Sequence, residues 1–245
     1  MWRGWGWQLA DLVANGDALE WMAGLSNGSA DAFVTDPPYT AAGGNTNGRS
    51  SGADAQFWSF WFSAVFAEMA RVTKPTGCGF IFCDWRMVGT LTAAIRGGID
   101  RQTATAWEAS QALVWDRECF GLGAPFRNGY EMIVFVRGPK WKHDPEVIPR
   151  NISTVVRHKW AYGSHPNHGA EKPVGLLRQL VRWSCPPGGV VLDPFAGSGS
   201  AGVAAIEEGR RYLGCEVDPV YAETAAKRMA SVSREPMLLP GLSRG

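Results

Sequence analysis

Short apolar runs alternate with segments of helical spacing along most of the chain. Runs such as CGFIFC (Cys78–Cys83) and VVLD (Val190–Asp193) have the composition of buried strands, whereas PVGLLRQLVRW (Pro173–Trp183) is amphipathic with a helical period. Strands that alternate with helices are typical of a mostly parallel, doubly wound sheet with helices on both faces. The pattern therefore predicts an α/β protein.

Turn residues between these runs define the expected elements. The stretch 40–56 is rich in Gly, Ser, Asn and Ala and has no apolar period, so we predict a mobile loop there. The turns include Asn15–Asp17 and Lys74–Gly77. Strands are expected at 32–35, 78–85, 111–116, 131–138, 190–193 and 211–219. Helices are expected at 18–25, 57–71, 88–96, 173–183 and 220–231, and one more helix is expected directly after the glycine-rich segment.

Composition adds mainly the classes of protein and site that the chain is not expected to form. The 245 residues are 45% hydrophobic and 19% charged, which suits one soluble domain over 1–245. Neither a run of about 18 apolar residues nor a signal-like N-terminus occurs, so we expect no membrane span and a cytoplasmic location. The five cysteines form no CxxC pair, which argues for reduced thiols and against a metal site.

Positive charge is concentrated in one part of the chain. The segment 137–182 holds nine Lys or Arg against three acids, and all four histidines, although the net charge of the chain is only +1. A basic block on a nearly neutral protein is compatible with a polyanion-binding surface or with a solvated loop. Composition leaves both interpretations open.

Two polar motifs follow predicted strands. The first, Asp36-Pro37-Pro38-Tyr39, is by itself equally compatible with a turn, since proline ends strands. The second runs from Asp193 through Gly197-Ser198-Gly199 into a helix, so free backbone N–H groups would face a ligand.

The glycine-rich motif also limits the class of ligand. A second strand ends at Glu216, about twenty residues on, where a carboxylate is placed to hold a ribose diol. Gly197, Gly199 and Gly202 keep the spacing of a GxGxxG motif, whereas the Lys-Ser/Thr of a phosphate loop is missing. Because Asp193 could face an ammonium group, a nucleoside with a short zwitterionic arm fits better than a dinucleotide or a nucleoside triphosphate.

Together, DPPY and the downstream DPFAGSGS resemble the S-adenosylmethionine-dependent DNA amino-methyltransferases. The catalytic motif precedes the cofactor loop, which is the circularly permuted order of the β group of that family. Further segments are similar to family motifs: NGD at 15–17, CDW at 83–85, GYEMIVFVRG at 129–138, Lys172-Pro173 at a helix start, and GCEVDPVY at 214–221. The resemblance implies a Rossmann-like methyltransferase fold over nearly the whole chain.

The resemblance also implies roles for the motif residues. Asp36 and the Pro37 carbonyl would accept the N–H groups of a flipped adenine, which frees the lone pair of a poorly nucleophilic amine. Pro38 fixes the backbone, Tyr39 stacks on the base, and loop 40–56 closes over it. The implied cofactor is S-adenosylmethionine, with S-adenosylhomocysteine as the product and no metal. Its implied binding site comprises Asp17, Lys172, Asp193, Phe195, Ala196, Gly197, Ser198, Gly199 and Glu216. Of these, Asp17 is expected at the adenine end, and Asp193 and Lys172 at the amino-acid end.

The implied substrate is adenine N6 in double-stranded DNA. Cytosine N4, RNA, and a non-catalytic nucleic-acid-binding module remain alternatives. A short target-recognition insert is expected at 140–163, and phosphate contacts are expected from Arg127, Arg150, Arg157 and Lys159. A homodimer is expected, any restriction endonuclease would be a separate chain, and a bacterial or phage source fits.

Overall fold

One sheet organises the computed structural model, which describes residues 12–38, 52–97, 107–120, 125–160 and 171–233. Its strand order is β1-β8-β7-β2-β3-β5-β4-β6. The strands are β1 (Leu12–Asn15), β2 (Ala30–Thr35), β3 (Thr73–Cys83), β4 (Glu108–Asp116), β5 (Tyr130–Arg137), β6 (Val155–Arg157), β7 (Val190–Asp193) and β8 (Arg211–Glu216).

Most neighbouring strands run parallel. Strands β1, β8, β7, β2 and β3 share one direction, whereas β5 is antiparallel to both β3 and β4. The helices are α1 (Ala18–Ala23), α2 (Gly52–Val72), α3 (Val88–Gly97), α4 (Val174–Ser184), α5 (Ser200–Glu207) and α6 (Pro219–Ser233). This arrangement confirms the predicted, mostly parallel α/β sheet.

Helices cover both faces because the central strands are apolar on both sides. Phe33 packs into a cluster with residues of α1, α2 and α3, whereas the next residue, Val34, packs with residues of α4 and α5 on the opposite face. Successive side chains of a strand point to opposite faces, so one short apolar run supplies both cores. In the part of the chain that the structure describes, no helix is long and apolar enough to cross a membrane.

Three elements differ most from the sequence-based prediction, and two strands end earlier than predicted: β3 at Cys83 instead of Trp85, and β8 at Glu216 instead of Pro219. Helix α2 begins at Gly52, so the last five residues of the predicted loop 40–56 are helical, and 40–51 lie outside the described residues. The predicted turn Lys74–Gly77 is an irregularity inside β3, where the pairing shifts from Ala30–Thr73 to Ala32–Cys78. Strand β6 was not predicted because three residues inside an irregular basic segment carry no periodic signal.

Candidate active site

The motif residues meet at one edge of the sheet. Parallel strands end at a common edge, and the carboxyl ends of β1, β8, β7 and β2 are neighbours there. Asp17, Glu216, Asp193 and Asp36 stand at or just after those four ends. A cavity of about 470 Å³ opens at this edge, and the predicted residues that line it are Asp36, Pro38, Lys172, Asp193, Phe195, Ala196, Gly197, Ser198 and Glu216.

A tryptophan from α2 holds the segment that follows β2. Trp58 donates its Nε1–H to the carbonyl oxygen of Pro38 at 2.5 Å. Its ring is buried and stacks on Phe62 with 4.8 Å between ring centroids. Pro37 is buried, whereas Tyr39 lies outside the described residues. The sequence did not single out Trp58, because a tryptophan on an apolar helix face reads as core.

Lys172 lies against the predicted catalytic carboxylate. Its Nζ is 2.5 Å from Asp36 Oδ2 and 3.2 Å from Glu131 Oε2. Burial lowers the pKa of Lys172, but the carboxylates of Asp36 and Glu131 raise it by more, so the ammonium stays protonated. The sequence placed Lys172 at the amino-acid end of the cofactor and did not single out Glu131, which is remote in sequence from Asp36.

The glycine-rich loop is tied to the end of β8. The Gly197 N–H donates to Glu216 Oε2 at 2.8 Å, and the Asp218 N–H donates to Glu216 Oε1 at 3.0 Å. Gly197 and Gly199 have φ values of 52° and 83°, which favour glycine. Glu216 therefore shapes the loop as well as lining the cavity.

Asp193 is buried and receives three hydrogen bonds. Thr35 Oγ1 and the Phe195 N–H donate to Oδ1 at 2.7 and 3.1 Å, and Tyr212 Oη donates to Oδ2 at 2.9 Å. Burial raises the pKa of Asp193 to about 6, although these three donors act in the opposite direction. A carboxylate has about four lone-pair sites, so one acceptor position remains for a ligand.

An ion pair from two remote segments closes the far side of the loop. Arg228 of α6 donates to the Ser198 carbonyl and hydroxyl oxygens, both at 2.9 Å, and to Glu171 Oε1 at 2.5 Å. The Ser200 hydroxyl also donates to Glu171 Oε1, at 2.9 Å. Neither Arg228 nor Glu171 was predicted, because nothing in their local sequence links them to the glycine loop.

Asp17 has a local role in the structure. Its Oδ1 accepts the N–H groups of Leu19 and Glu20 at 2.8 and 3.1 Å, which caps α1. Asp17 is not among the residues that line the cavity. Its predicted contact with adenosine stays a prediction.

The basic candidates are spread along the β4–β6 side of the sheet. Arg157 ends β6 and lies 3.6 Å from Asp116, and Lys159 follows it as an exposed residue. Arg127 lies over the Phe120 ring in the β4–β5 connection, and Arg150 is exposed before β6. Their predicted contacts with phosphate stay predictions.

The predicted insert is described as far as residue 160. It contributes β6 to the sheet, and its two tryptophans pack on that sheet: Trp160 stacks on Trp115 at 5.4 Å, and Trp141 meets Phe135 edge-on at 5.4 Å. The insert is thus anchored by its aromatic residues. Its predicted role in reading a target sequence stays a prediction.

The site offers carboxylates and backbone groups rather than a reactive thiol. Burial, with the nearby Asp84, Asp36 and Glu131 carboxylates, raises the pKa of the Cys83 thiol to about 12, so Cys83 is a poor nucleophile at neutral pH. Among the described residues, no group of His, Cys, Asp or Glu could hold a metal ion.

Comparison with known proteins agrees with this geometry. The family model described as DNA methylase, for the N6/N4 methyltransferases, matches residues 30–227. The Escherichia coli K12 protein YubD, named as a methylase, is 30% identical over 219 residues, which are 89% of this chain and 90% of YubD. The DNA adenine methyltransferase YhdJ of the same organism is 26% identical over 90% of this chain and 83% of its own.

Solved structures share the fold. The crystal structure of the M1.HpyAVI–SAM complex superposes with a TM-score of 0.66 at 22% identity, over 89% of this chain and 98% of that one. The cytosine-N4-specific PvuII DNA methyltransferase superposes with a TM-score of 0.70 at 18% identity, over 98% of this chain and 92% of that one. The sheet, the strand-end motifs and these matches lead to one conclusion: the chain belongs to the N6/N4 family of DNA methylases.

Proposed function

We propose that this protein transfers a methyl group from S-adenosylmethionine to the exocyclic N6 of adenine in double-stranded DNA. One observation carries the proposal: Asp36, which follows β2, lines the same cavity as Gly197 and Ser198, which follow β7, and β2 and β7 are neighbouring strands. A carboxylate that accepts an amine proton and a loop that holds a nucleoside are thereby within reach of one another.

The residues present fit the cofactor. Glu216 supplies a carboxylate for ribose hydroxyls, and Asp193 retains one acceptor position for an ammonium group. Gly197 leaves the cavity side of the loop open, since a Cβ added there would meet no atom within 4 Å. The half-buried Phe195 ring offers an apolar surface beside them. When bound, S-adenosylmethionine supplies an electrophilic methyl group on a sulfonium.

The chain's own residues prepare the amine. Asp36 and the carbonyl of Pro37 accept hydrogen bonds from its two N–H groups, so the nitrogen lone pair becomes available for attack on the methyl carbon. As the new C–N bond would replace the C–S bond, Asp36 would take up the proton that the methylated nitrogen loses. Trp58 fixes the Pro38 peptide, which limits the freedom of both acceptors. Tyr39 stacks on the flipped base, and base–aromatic stacking contributes roughly 1–3 kcal/mol. Residues 40–51 of the predicted loop close over the base, and α2 follows from Gly52.

The choice of adenine rests on the DPPY resemblance and on the name of YhdJ. Cytosine N4 is the second candidate, because the PvuII enzyme shares the fold and both amines suit the same pair of acceptors. Labelled methyl transfer to unmethylated duplex DNA, followed by nucleoside analysis, separates them. A 6-methyladenine product supports the proposal. A 4-methylcytosine product would support methyl transfer to an exocyclic amine but would show that the target base is cytosine.

The remaining assignments extend this proposal. The motif order is that of the β group, and Arg127, Arg150, Arg157 and Lys159 contact the phosphates of the duplex, with residues 140–163 reading the target site. The protein acts as a homodimer in a bacterial or phage-infected cytoplasm. Any restriction endonuclease paired with it is a separate chain.

We expect Glu216→Ala to weaken S-adenosylmethionine binding about 10–100-fold, because it removes charge-assisted hydrogen bonds from the ribose and from the Gly197 N–H. Calorimetric titration with S-adenosylmethionine measures the change. Glu223→Ala, on the exposed face of α6, is the matched control and should leave the Kd unchanged. An unchanged Kd in Glu216→Ala would exclude Glu216 from the cofactor site.

The affinity for S-adenosylmethionine should depend on pH through Asp193. Its pKa is raised to about 6, so the group is neutral below that pH and anionic above it. Only the anion pairs with the cofactor ammonium, so affinity should rise from pH 5 to about 7 and then level off. Methylthioadenosine, which lacks the amino-acid arm, serves as control, and an equal pH response for both ligands would refute the assignment.

A further inference from the structure

Two carboxylates from distant segments of the chain lie against the buried ammonium of Lys172. Lys172 precedes α4, Asp36 follows β2, and Glu131 lies on β5. The Lys172 Nζ is 2.5 Å from Asp36 Oδ2 and 3.2 Å from Glu131 Oε2, and it lies 5.2 Å from the centroid of the Phe82 ring. The ammonium thus lies over an aromatic ring between two carboxylates.

Among the described residues, each carboxylate of this cluster faces a cation. Arg117 NH1 is 3.5 Å from Glu131 Oε1, so two cations face two carboxylates. The Lys172 side chain is 9% exposed, and a buried charge is tolerated only when it is paired. A cofactor carboxylate would be a third anion beside an ammonium that already pairs with two carboxylates.

We propose that Lys172 is a positioning residue that orients the Asp36 carboxylate for the amine, and that Glu131 holds Lys172 in place for this task. The inference rests on the proposed role of Asp36 as amine acceptor. A charge-assisted bond to Oδ2 restricts rotation of the carboxylate and so sets the direction of Oδ1. Catalytic groups need to be held within about 0.5 Å and 10–20° of the productive geometry.

The test separates positioning from cofactor binding. In Lys172→Met, kcat at saturating S-adenosylmethionine should fall about 10–100-fold, while the S-adenosylmethionine Kd stays within about twofold of wild type. Lys172→Arg should recover part of kcat, and Glu131→Gln should lower kcat without changing the Kd. Lys74→Met is the matched control, because it breaks a lysine–aspartate pair of equal length, 2.5 Å, at the start of β3, and its kcat should be unchanged.

A double-mutant cycle with Asp36 adds a readout that a purely structural role would not change. If Lys172 acts through Asp36, then Lys172→Met should have little further effect on the residual rate of Asp36→Ala. A Kd weakened tenfold or more with an unchanged kcat would overturn the proposal and return Lys172 to the cofactor. If Lys172→Met fails to fold, Lys172→Arg and Glu131→Gln carry the same comparison.

Two failures remain distinguishable. Full activity in Asp36→Ala would refute the acceptor role on which the inference rests. An inactive Asp36→Ala together with wild-type kcat in Lys172→Met and in Glu131→Gln would refute the positioning role alone.

Discussion

Asp36→Ala should lower kcat for methyl transfer by at least about 10²–10³-fold, the usual cost of removing one preorganised group that stabilises developing charge. Without this carboxylate the amine keeps its lone pair delocalised into the base, and the Lys172 ammonium loses a partner at 2.5 Å. The effect should fall on the chemical step, because Asp36 acts on the amine rather than on the cofactor. Single-turnover transfer of labelled methyl to duplex DNA measures it.

Two measurements make this result specific. The S-adenosylmethionine Kd of Asp36→Ala should stay close to wild type, which also shows that the variant is folded. Glu108→Ala removes another paired carboxylate, 2.7 Å from Arg137 at the start of β4, and should leave kcat unchanged. Wild-type turnover in Asp36→Ala would remove Asp36 from the mechanism.

Gly199→Ala should destabilise the protein by about 2–5 kcal/mol, the largest stability change that we expect in the glycine loop. The residue has φ of 83°, which L side chains rarely adopt. A Cβ there would stand 2.7 Å from Ala225 Cβ and 2.8 Å from Ala225 Cα, so the loop or α6 has to move. Chemical denaturation measures the free energy of unfolding, and S-adenosylmethionine binding should weaken with it.

Gly188→Ala is the matched control for this substitution. Gly188 also has positive φ, 71°, but a Cβ there would meet no atom within 4 Å. Its cost should therefore be limited to the backbone term, about 1–2 kcal/mol. Equal stability losses in the two variants would show that the close approach of the loop to α6 is not needed.

Sequence patterns located most of the fold because its signals are local. Apolar runs and turn residues predicted the strands that form the centre of the sheet, and the alternation of strands with helices predicted its parallel arrangement. Strand β6 escaped because its three residues pair with β4 only in the folded chain. The start of α2 was missed for a related reason, since Gly52 follows a Gly- and Ser-rich stretch that reads as loop.

The residues of the candidate site also fall into two groups: those that local sequence predicted and those that it did not. Asp36, Asp193 and Glu216 were found because each ends an apolar run, a feature visible in a few consecutive residues. Trp58, Tyr212 and Arg228 were not found, since each acts through a hydrogen bond to a residue at least 19 positions away. Side chains that support a site leave no local pattern.

The sequence by itself determined which residues stand at strand ends and which loop carries glycines, because strand length and backbone freedom are local properties. Only the tertiary structure decided how these ends are ordered across the sheet and which charges meet. It brought Lys172 to Asp36, 136 positions away, and Glu131 to Lys172. Neighbouring strands pair through packing and backbone hydrogen bonds between segments that are remote in sequence. The carboxylates that meet a buried ammonium are therefore determined only when the sheet has formed.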